Sequence, residues 1–442
     1  MQIALPRPEA FAEADGRIVV GYSGGLDSTV LLHVLAHTPD LRARGLEALH
    51  VHHGLQAAAD DWAAHCRRVC DTLDLPCKVA RVDVARDAGH GLEAAARAAR
   101  RAALAQSMAP GDLLALAHHR DDQAETVLLR ALRASGPDGL AAMRAWRRFG
   151  TGWLWRPLLA LPRAQLLAYA QAHGLHWIED PSNAVDDADR NFLRNRVLPL
   201  LRSRWPQADA ALAGVAALQA DATALLSPDD VAALGGARTS DPSVLDTTRL
   251  QVLPAARRAR VLRQWIDALG LPPLPARAVA WCEADLATGR ADRVPVFDWS
   301  AHRLQRWRTQ LHAGPIRAPL AGDFASTWSG KAPLRLPDGG RLWLEGAPAD
   351  MSWTVRARHG GERVRLTGRA HSHSLKHVLQ ARDIPPWRRA HLPLLLDADG
   401  LVLAAGDLVF DAGFETWLRA GGRRLHWAAP GAPHTAVDAP MA

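Results

Sequence analysis

The first two hundred residues alternate short apolar runs with helical stretches. Arg17-Ile18-Val19-Val20-Gly21-Tyr22 is β-branched and follows Gly16, which predicts a short buried strand, and Thr29 to Leu35 continues as a helix. Similar runs at Leu46–His52, Cys77–Val82 and Leu113–Ala117, with a helix between successive ones, predict an α/β parallel sheet with flanking helices. Ligands of such sheets bind outside the carboxyl ends of the strands. The loop at Ser23, the segment His52-His53-Gly54-Leu55 and the segment from His118 to Asp122 all emerge at that edge.

After Trp205-Pro206 the pattern becomes an alanine-rich helical run, then a breaker-rich segment from Ser227 to Ser243, then helices over Leu250–Leu269 and Pro275–Leu286. A small strand pair is expected between Val294 and Leu311 in an otherwise all-helical block. Residues 313–340 are rich in Pro, Gly and Ser and read as a linker or a loop-rich boundary. Strands at Leu342–Glu345 and Leu401–Ala404 with a helix over Ser374–Ala381 predict a small mixed α+β domain at the end. The expected division is 1–208, 209–318 and 340–428, with a disordered tail over 429–442.

A chain of 442 residues exceeds one ordinary core, which agrees with several domains. No uninterrupted apolar run is long enough to cross a bilayer, and Met1 to Gly16 lacks the basic-then-apolar order of a secretory signal, so a cytoplasmic protein without membrane contact is expected. The formal charge of +7 favours a polyanionic partner. Four cysteines, Cys66, Cys70, Cys77 and Cys282, are too few and too scattered for a disulfide framework. Cys66 and Cys70 share a helix face near His65, but they lack a Cys-x-x-Cys turn and a second pair, so free thiols are expected rather than a metal site.

Between the first strand and its helix lies Ser23-Gly24-Gly25-Leu26-Asp27-Ser28. Two glycines let backbone approach an anion, and the first helical turn directs its amides there with the helix dipole behind them. No Lys follows, as it would in a Walker loop, and an acid stands inside the loop instead. Asp27 beside phosphates requires a cation, which suggests a Mg²⁺ contact; the plainer alternative is a glycine turn with an acid at a helix start. The string resembles the loop of the N-type ATP pyrophosphatases, which cleave ATP between its α and β phosphates. That resemblance implies ATP held by Ser23, Gly24, Gly25, Leu26, Asp27 and Ser28, with His52 near the adenosine half.

A second acidic group follows the strand ending near Ala117. Spacings of three and four place Asp122 and Glu125 on one helix face with His118; the same acids also suit a helix N-terminus, so spacing alone leaves ligand binding and capping both open. The run His118-His119-Arg120-Asp121-Asp122-Gln123-Ala124-Glu125-Thr126, followed by Ser135-Gly136-Pro137-Asp138-Gly139-Leu140, resembles the signature of the tRNA(Ile)-lysidine synthetases. Val51-His52-His53-Gly54-Leu55, Gly91-Leu92-Glu93, Trp155-Arg156-Pro157, Ile178-Glu179-Asp180-Pro181-Ser182-Asn183 and Arg190-Asn191-Phe192-Leu193-Arg194 follow the family's order. A looser likeness extends to Gly360-Gly361-Glu362, Ser374-Leu375-Lys376 and Ile384-Pro385-Pro386-Trp387-Arg388-Arg389.

The resemblance implies an ATP-dependent carbon–nitrogen ligase that joins free L-lysine to C2 of the wobble cytidine of a CAU-anticodon isoleucine tRNA through an adenylated intermediate. Asp27, Asp122 and Glu125 are then the catalytic candidates, Asp27 and Asp122 the metal candidates, and His118, Arg156, Arg190 and Arg194 the candidates for lysine or phosphate. Nine Arg or Lys residues against two acids between Arg356 and His391 suggest RNA contact, with Lys376, Arg388 and Arg389 as candidates. The resemblance leaves room for a homodimer. A tRNA thiolase using the same loop is the alternative, and it would need reactive cysteines.

Overall fold

A computed structural model describes residues 2–54, 58–83, 92–288, 294–346 and 351–430, without the side chains of 92–94 and 183–184. Leu55, Gly91 and the expected tail from 431 onward lie outside the described residues, as do the side chains of Leu92 and Glu93. The chain divides at Pro228 into two compact units, residues 1–228 and 229–442.

The first unit is built on β1 (Ile18–Gly21), β2 (Leu46–His52), β3 (Cys77–Arg81), β4 (Leu113–Ala115), β5 (Trp146–Phe149) and β6 (Gly152–Trp155). Their order is β3-β2-β1-β4-β6-β5. All neighbours run parallel except β5, which folds back on β6 as an antiparallel edge. Ile18 pairs with Leu46 on one side and Leu113 on the other, so β1 is central. The strand order reverses between β1 and β4, the position at which sheets of this kind bind ligands beyond the carboxyl ends of their strands.

Ile18, Val19 and Val20 are fully buried, as β-branched residues of a central parallel strand should be. The helix Leu26–Ala36 is apolar nearly all round, because it lies between the sheet and the helix Arg163–Ala172. Its fully buried Val30, Leu31, Leu32 and Leu35 each contribute about 2 kcal/mol of apolar burial. At the opposite end of the sheet Arg17 bridges Glu47 at 2.6 Å and Asp112 at 3.0 Å, which pins the starts of three adjacent strands.

The breaker-rich segment from Ser227 is not a break. One helix runs Ala208–Ala237 with Pro228 inside it, the missing N–H costing one backbone bond without ending the helix. The helix has the length to cross a bilayer and a mean hydropathy of 1.4 over its most apolar window. Asp209, Asp221, Asp229 and Asp230 punctuate it, so it contains no charge-free run of spanning length.

The second unit opens with a region that is helical in bulk but not all-helical. The helices Ala255–Ala268 and Ala276–Thr288 pack on an antiparallel sheet of β7 (Val244–Asp246), β8 (Val296–Trp299), β9 (His302–Trp307) and β10 (Gln310–Pro315), ordered β7-β10-β9-β8. The expected strand pair is thus part of a four-stranded sheet; β7 joins from a distant part of the sequence, which local patterning does not register. Trp265 is fully buried at the centre and donates its indole N–H to the Pro242 carbonyl at 2.9 Å.

The stretch read as a linker carries two strands, Ala325–Trp328 and Leu334–Arg335, each stabilised by a later partner strand. The first belongs to a five-stranded antiparallel sheet with Trp353–Arg356, Leu394–Leu396, Val402–Ala405 and Val409–Phe410. The second joins Arg341–Glu345 and Arg424–Ala428. Trp353, Leu379, Phe414 and Trp427 fill the core of this domain.

Candidate active site

The loop after β1 is shaped by its glycines. Gly24 has φ +83°, and a Cβ there would stand 2.8 Å from Ile178 Cδ1 and 3.0 Å from Cys66 Sγ. Gly25 caps the helix in extended conformation. The Ser23 hydroxyl lies 3.0 Å from that of Ser28, which donates to the Gly25 carbonyl at 3.0 Å. Thr29 donates to the same carbonyl at 3.0 Å, and the Ile178 amide donates to the Gly24 carbonyl at 2.9 Å. Leu26 is buried beneath the turn. Asp27 stands in the first helical turn, and its Oδ1 is a buried oxygen that accepts no hydrogen bond, with Arg163 Nε 3.8 Å away.

The second loop rises from the end of β4. His119 is the N-cap of the helix Arg120–Leu132, and Asp122 is its third residue; His119 Nδ1 accepts from the Asp122 amide while Asp122 accepts from the His119 amide at 3.0 Å, a reciprocal capping box. This turns the other edge of the His119 ring toward the first loop. Its Nε2 lies 3.5 Å from Asp27 Oδ2 and 3.4 Å from Asp122 Oδ2. Burial opposes charge on this ring, but the Asp27, Asp122 and Asp121 carboxylates outweigh it and raise its pKa. Asp122 is held below the ordinary carboxylate range: burial opposes its charge, and His119, His118 and Arg190 overcome that opposition.

His118 precedes the cap; it stays within electrostatic reach of Asp122, while its Nδ1 is engaged by an arginine. It accepts from Arg156 Nε at 3.0 Å, and Arg156 donates as well to the Arg144 carbonyl at 2.7 Å. Burial and then Arg156 lower the His118 pKa, keeping the ring neutral. Arg156 is itself lowered to about 10 by burial and by Arg147, Arg97 and Arg130.

Glu125 is fully buried. Its Oε2 accepts from Arg190 Nε at 2.7 Å and its Oε1 from Arg194 Nε at 2.7 Å, and the Arg194 Nη2 reaches Asp122 Oδ1 at 3.4 Å. Both oxygens of Glu125 are therefore engaged, and the two guanidiniums stand between it and Asp122. Arg202 ties Asp121 at 2.8 Å to Asp209 at 2.6 Å, joining the start of the second loop to the first turn of the long helix.

His52 is buried at the end of β2, its Nε2 3.3 Å from Asp60 Oδ1, and Asp60 is also paired with Arg81 at 2.7 Å. Cys66, Cys70 and Cys77 are free thiols. Burial pushes the Cys66 thiol up to about 12, so it is protonated near neutrality. In the second unit Lys376 is exposed, Arg388 lies over the Trp427 ring at 5.8 Å, and Arg389 lies over the Trp307 ring at 5.2 Å.

No group of three His, Cys, Asp or Glu side chains forms a metal cage among the described residues. A Mg²⁺ ion brought with a polyphosphate does not need one, since one or two carboxylates complete a shell otherwise made of phosphate oxygens and water. The unpartnered Oδ1 of Asp27, with Asp122 close by, fits that requirement.

Residues 5–201 match the PP-loop domain family, residues 245–312 the TilS substrate binding domain, and residues 353–427 the TilS substrate C-terminal domain. Among curated relatives, the tRNA(Ile)-lysidine synthase of Xanthomonas axonopodis pv. citri is 54% identical over 431 residues, 97% of this chain and 96% of that protein. That of Xylella fastidiosa strain 9a5c is 51% identical over 97% of this chain and 98% of its own, and that of Serratia proteamaculans 41% over 94% and 96%.

Proposed function

The chain belongs to the tRNA(Ile)-lysidine synthase family, and on that premise we propose that it uses ATP and free L-lysine to convert the wobble cytidine of a CAU-anticodon isoleucine tRNA to lysidine. The C2 carbonyl oxygen of cytosine is a poor leaving group. Its attack on the α-phosphorus of ATP forms an O–P bond and releases pyrophosphate; the ε-amine of lysine then bonds to C2 and the oxygen departs with AMP. The substrate brings its own nucleophile, so no activated serine or cysteine is required.

Each residue has a part in this reading. Amides and hydroxyls of Ser23, Gly24, Gly25 and Ser28 bind the polyphosphate, with His52 toward the adenosine half. Asp27 and Asp122 would hold Mg²⁺, which when bound neutralises charge on the departing pyrophosphate. His119 orients Asp27 and Asp122 toward each other. Glu125 is a positioning residue that fixes Arg190 and Arg194, leaving their outer N–H groups for the carboxylate of lysine or for phosphate. Arg156 donates to His118 and holds it neutral, and the ε-ammonium of lysine loses its proton to a group of the site before the neutral amine attacks C2. The basic C-terminal domain, with Lys376, Arg388 and Arg389, binds tRNA while the anticodon base is extruded into the first unit. A cytoplasmic location follows from the substrate.

The observation that carries this reading is the meeting of Asp27, His119 and Asp122 at the carboxyl ends of β1 and β4. Its test is incorporation of labelled L-lysine into a CAU-anticodon tRNA with Mg-ATP, beside a transcript whose wobble C is replaced by U. Incorporation confined to the C-bearing tRNA, with AMP and pyrophosphate formed, is the expected result. ATP cleavage without lysine transfer would overturn it and redirect attention to sulfur donors or other amines.

A further inference from the structure

We propose that Arg163 binds the β and γ phosphates of ATP and meets the charge that grows on the pyrophosphate as it leaves. The inference rests on the reading above in taking ATP to be cleaved between its α and β phosphates, and needs nothing from the lysine or the tRNA site.

Arg163 opens the helix Arg163–Ala172, which packs against the helix Leu26–Ala36 that follows the phosphate loop. Its backbone is fixed from the second loop: the Arg163 amide donates to Asp121 Oδ1 at 3.0 Å, and the Arg120 amide donates to the Leu161 carbonyl at 2.8 Å. The side chain reaches the phosphate loop, where its Nε lies 3.8 Å from Asp27 Oδ1. Asp27 is its one ion-pair partner among the described residues. At that distance the contact is electrostatic rather than a hydrogen bond, and the side chain is 51% exposed, so the guanidinium can turn to another anion without giving up a bond. The other guanidiniums of the site are committed. Arg190 and Arg194 donate to Glu125, Arg202 to Asp121 and Asp209, and Arg156 to His118 and the Arg144 carbonyl.

The chemistry at the loop calls for such a cation. Adenylation forms a bond from the cytosine oxygen to the α-phosphorus and breaks the bond from that phosphorus to the bridging oxygen, whose electron pair leaves with pyrophosphate. Negative charge therefore grows on the departing group. A Walker loop meets it with its own Lys; this loop carries Asp27 instead, and its amides and hydroxyls are neutral. An arginine brought from another element is a recurrent solution in phosphoryl transfer, always charged and with a planar fork that matches phosphate oxygens. In the reading above the loop takes the phosphates, and Asp27 is where Arg163 meets the loop.

The experiment uses the full chain carrying Arg163→Gln or Arg163→Lys, with binding of Mg-pyrophosphate and of AMP measured by calorimetry and pyrophosphate release measured at saturating tRNA. Arg163→Gln is expected to bind Mg-pyrophosphate about tenfold more weakly, to bind AMP within about twofold of the wild type, and to release pyrophosphate about 100-fold more slowly. Arg163→Lys keeps the charge but loses the fork, and is expected to recover about tenfold of that rate. Tm should stay that of the wild type, since the backbone amide and not the side chain makes the bond to Asp121. Unchanged pyrophosphate affinity or normal pyrophosphate release would overturn the proposal. Equal losses for AMP and pyrophosphate would overturn it as well, because they would report a disturbed loop rather than a lost phosphate contact. Weaker pyrophosphate binding in an enzyme that cleaves ATP but never transfers lysine would remove the lysidine reading and leave the role of Arg163 standing. If the glutamine variant fails to fold, the lysine variant carries the test: its affinity for pyrophosphate should fall about threefold with none lost for AMP, and no loss counts against the assignment.

Discussion

The Nε2 of His119 stands 3.5 Å from the Oδ2 of Asp27, which links the cap of one helix to the first turn of another. This contact carries a pH signature. The carboxylates around the ring raise its folded pKa above the ordinary 6.5. A raised folded value stabilises the fold fully below the unfolded pKa, and that contribution is lost as pH rises through the folded pKa. Urea titrations of the wild type and His119→Gln should therefore differ most in mild acid and converge toward alkaline pH. A gap that is constant or widens with pH would contradict the contact.

Asp27→Ala removes the carboxylate whose Oδ1 is unpartnered. Pyrophosphate release is expected to fall at least about 100-fold, the scale of losing one preorganised electrostatic contact to a departing group. Affinity for tRNA should stay within about twofold, since no phosphate-binding cation is removed. Normal pyrophosphate release by this variant would remove Asp27 from the chemistry.

Glu125→Gln leaves Arg190 and Arg194 facing a neutral group in a buried position. Breaking a buried ion pair from one side costs about 3–5 kcal/mol, and the low end applies here because the arginine side chains are 24% and 36% exposed. Chemical denaturation should report a loss of about 3 kcal/mol. The KM for lysine should rise as the guanidiniums lose their anchor. Full stability with unchanged KM would show that the pair is not needed.

Gly24 and Gly25 are adjacent but not equivalent. Gly24→Ala forces a side chain into left-handed backbone, with Ile178 and Cys66 already closer than van der Waals distance, and should cost about 2 kcal/mol or more. At Gly25 a Cβ would meet nothing nearer than the Ser23 hydroxyl at 3.5 Å, so Gly25→Ala should leave Tm nearly unchanged. Comparable thermal losses in the two variants would contradict the conformational account.

Strands β1 to β4 were legible because each is a short apolar run in a parallel layer; β6 and the antiparallel edge strand β5, Trp-Arg-Arg-Phe in sequence, were not read. Asp27 and Asp122 were legible because they stand at fixed places in their motifs. His119 was missed for a geometric reason: helical spacing grouped His118 with the acids, but the helix begins at Arg120, so residue 119 caps it and reaches Asp27 while residue 118 bonds to Arg156. The available signal was the cap pattern, a residue able to accept an amide at 119 with an acid three positions later. Pro228 and the segment 313–340 misled for the same reason in two settings. Composition reports local preference, whereas the long helix and the two strands are decided by partners and length that no window contains.

The phosphate loop hangs from β1, the strand hydrogen-bonded on both sides with Ile18, Val19 and Val20 fully buried. A strand in that position frees its amides to exchange with solvent only when the surrounding sheet comes apart. Fraying at the β3 or β5 edge leaves the geometry of Gly24 and Asp27 intact. Loss of ATP cleavage by heat or denaturant then follows the global unfolding of this unit, and loosening confined to its edges leaves activity in place.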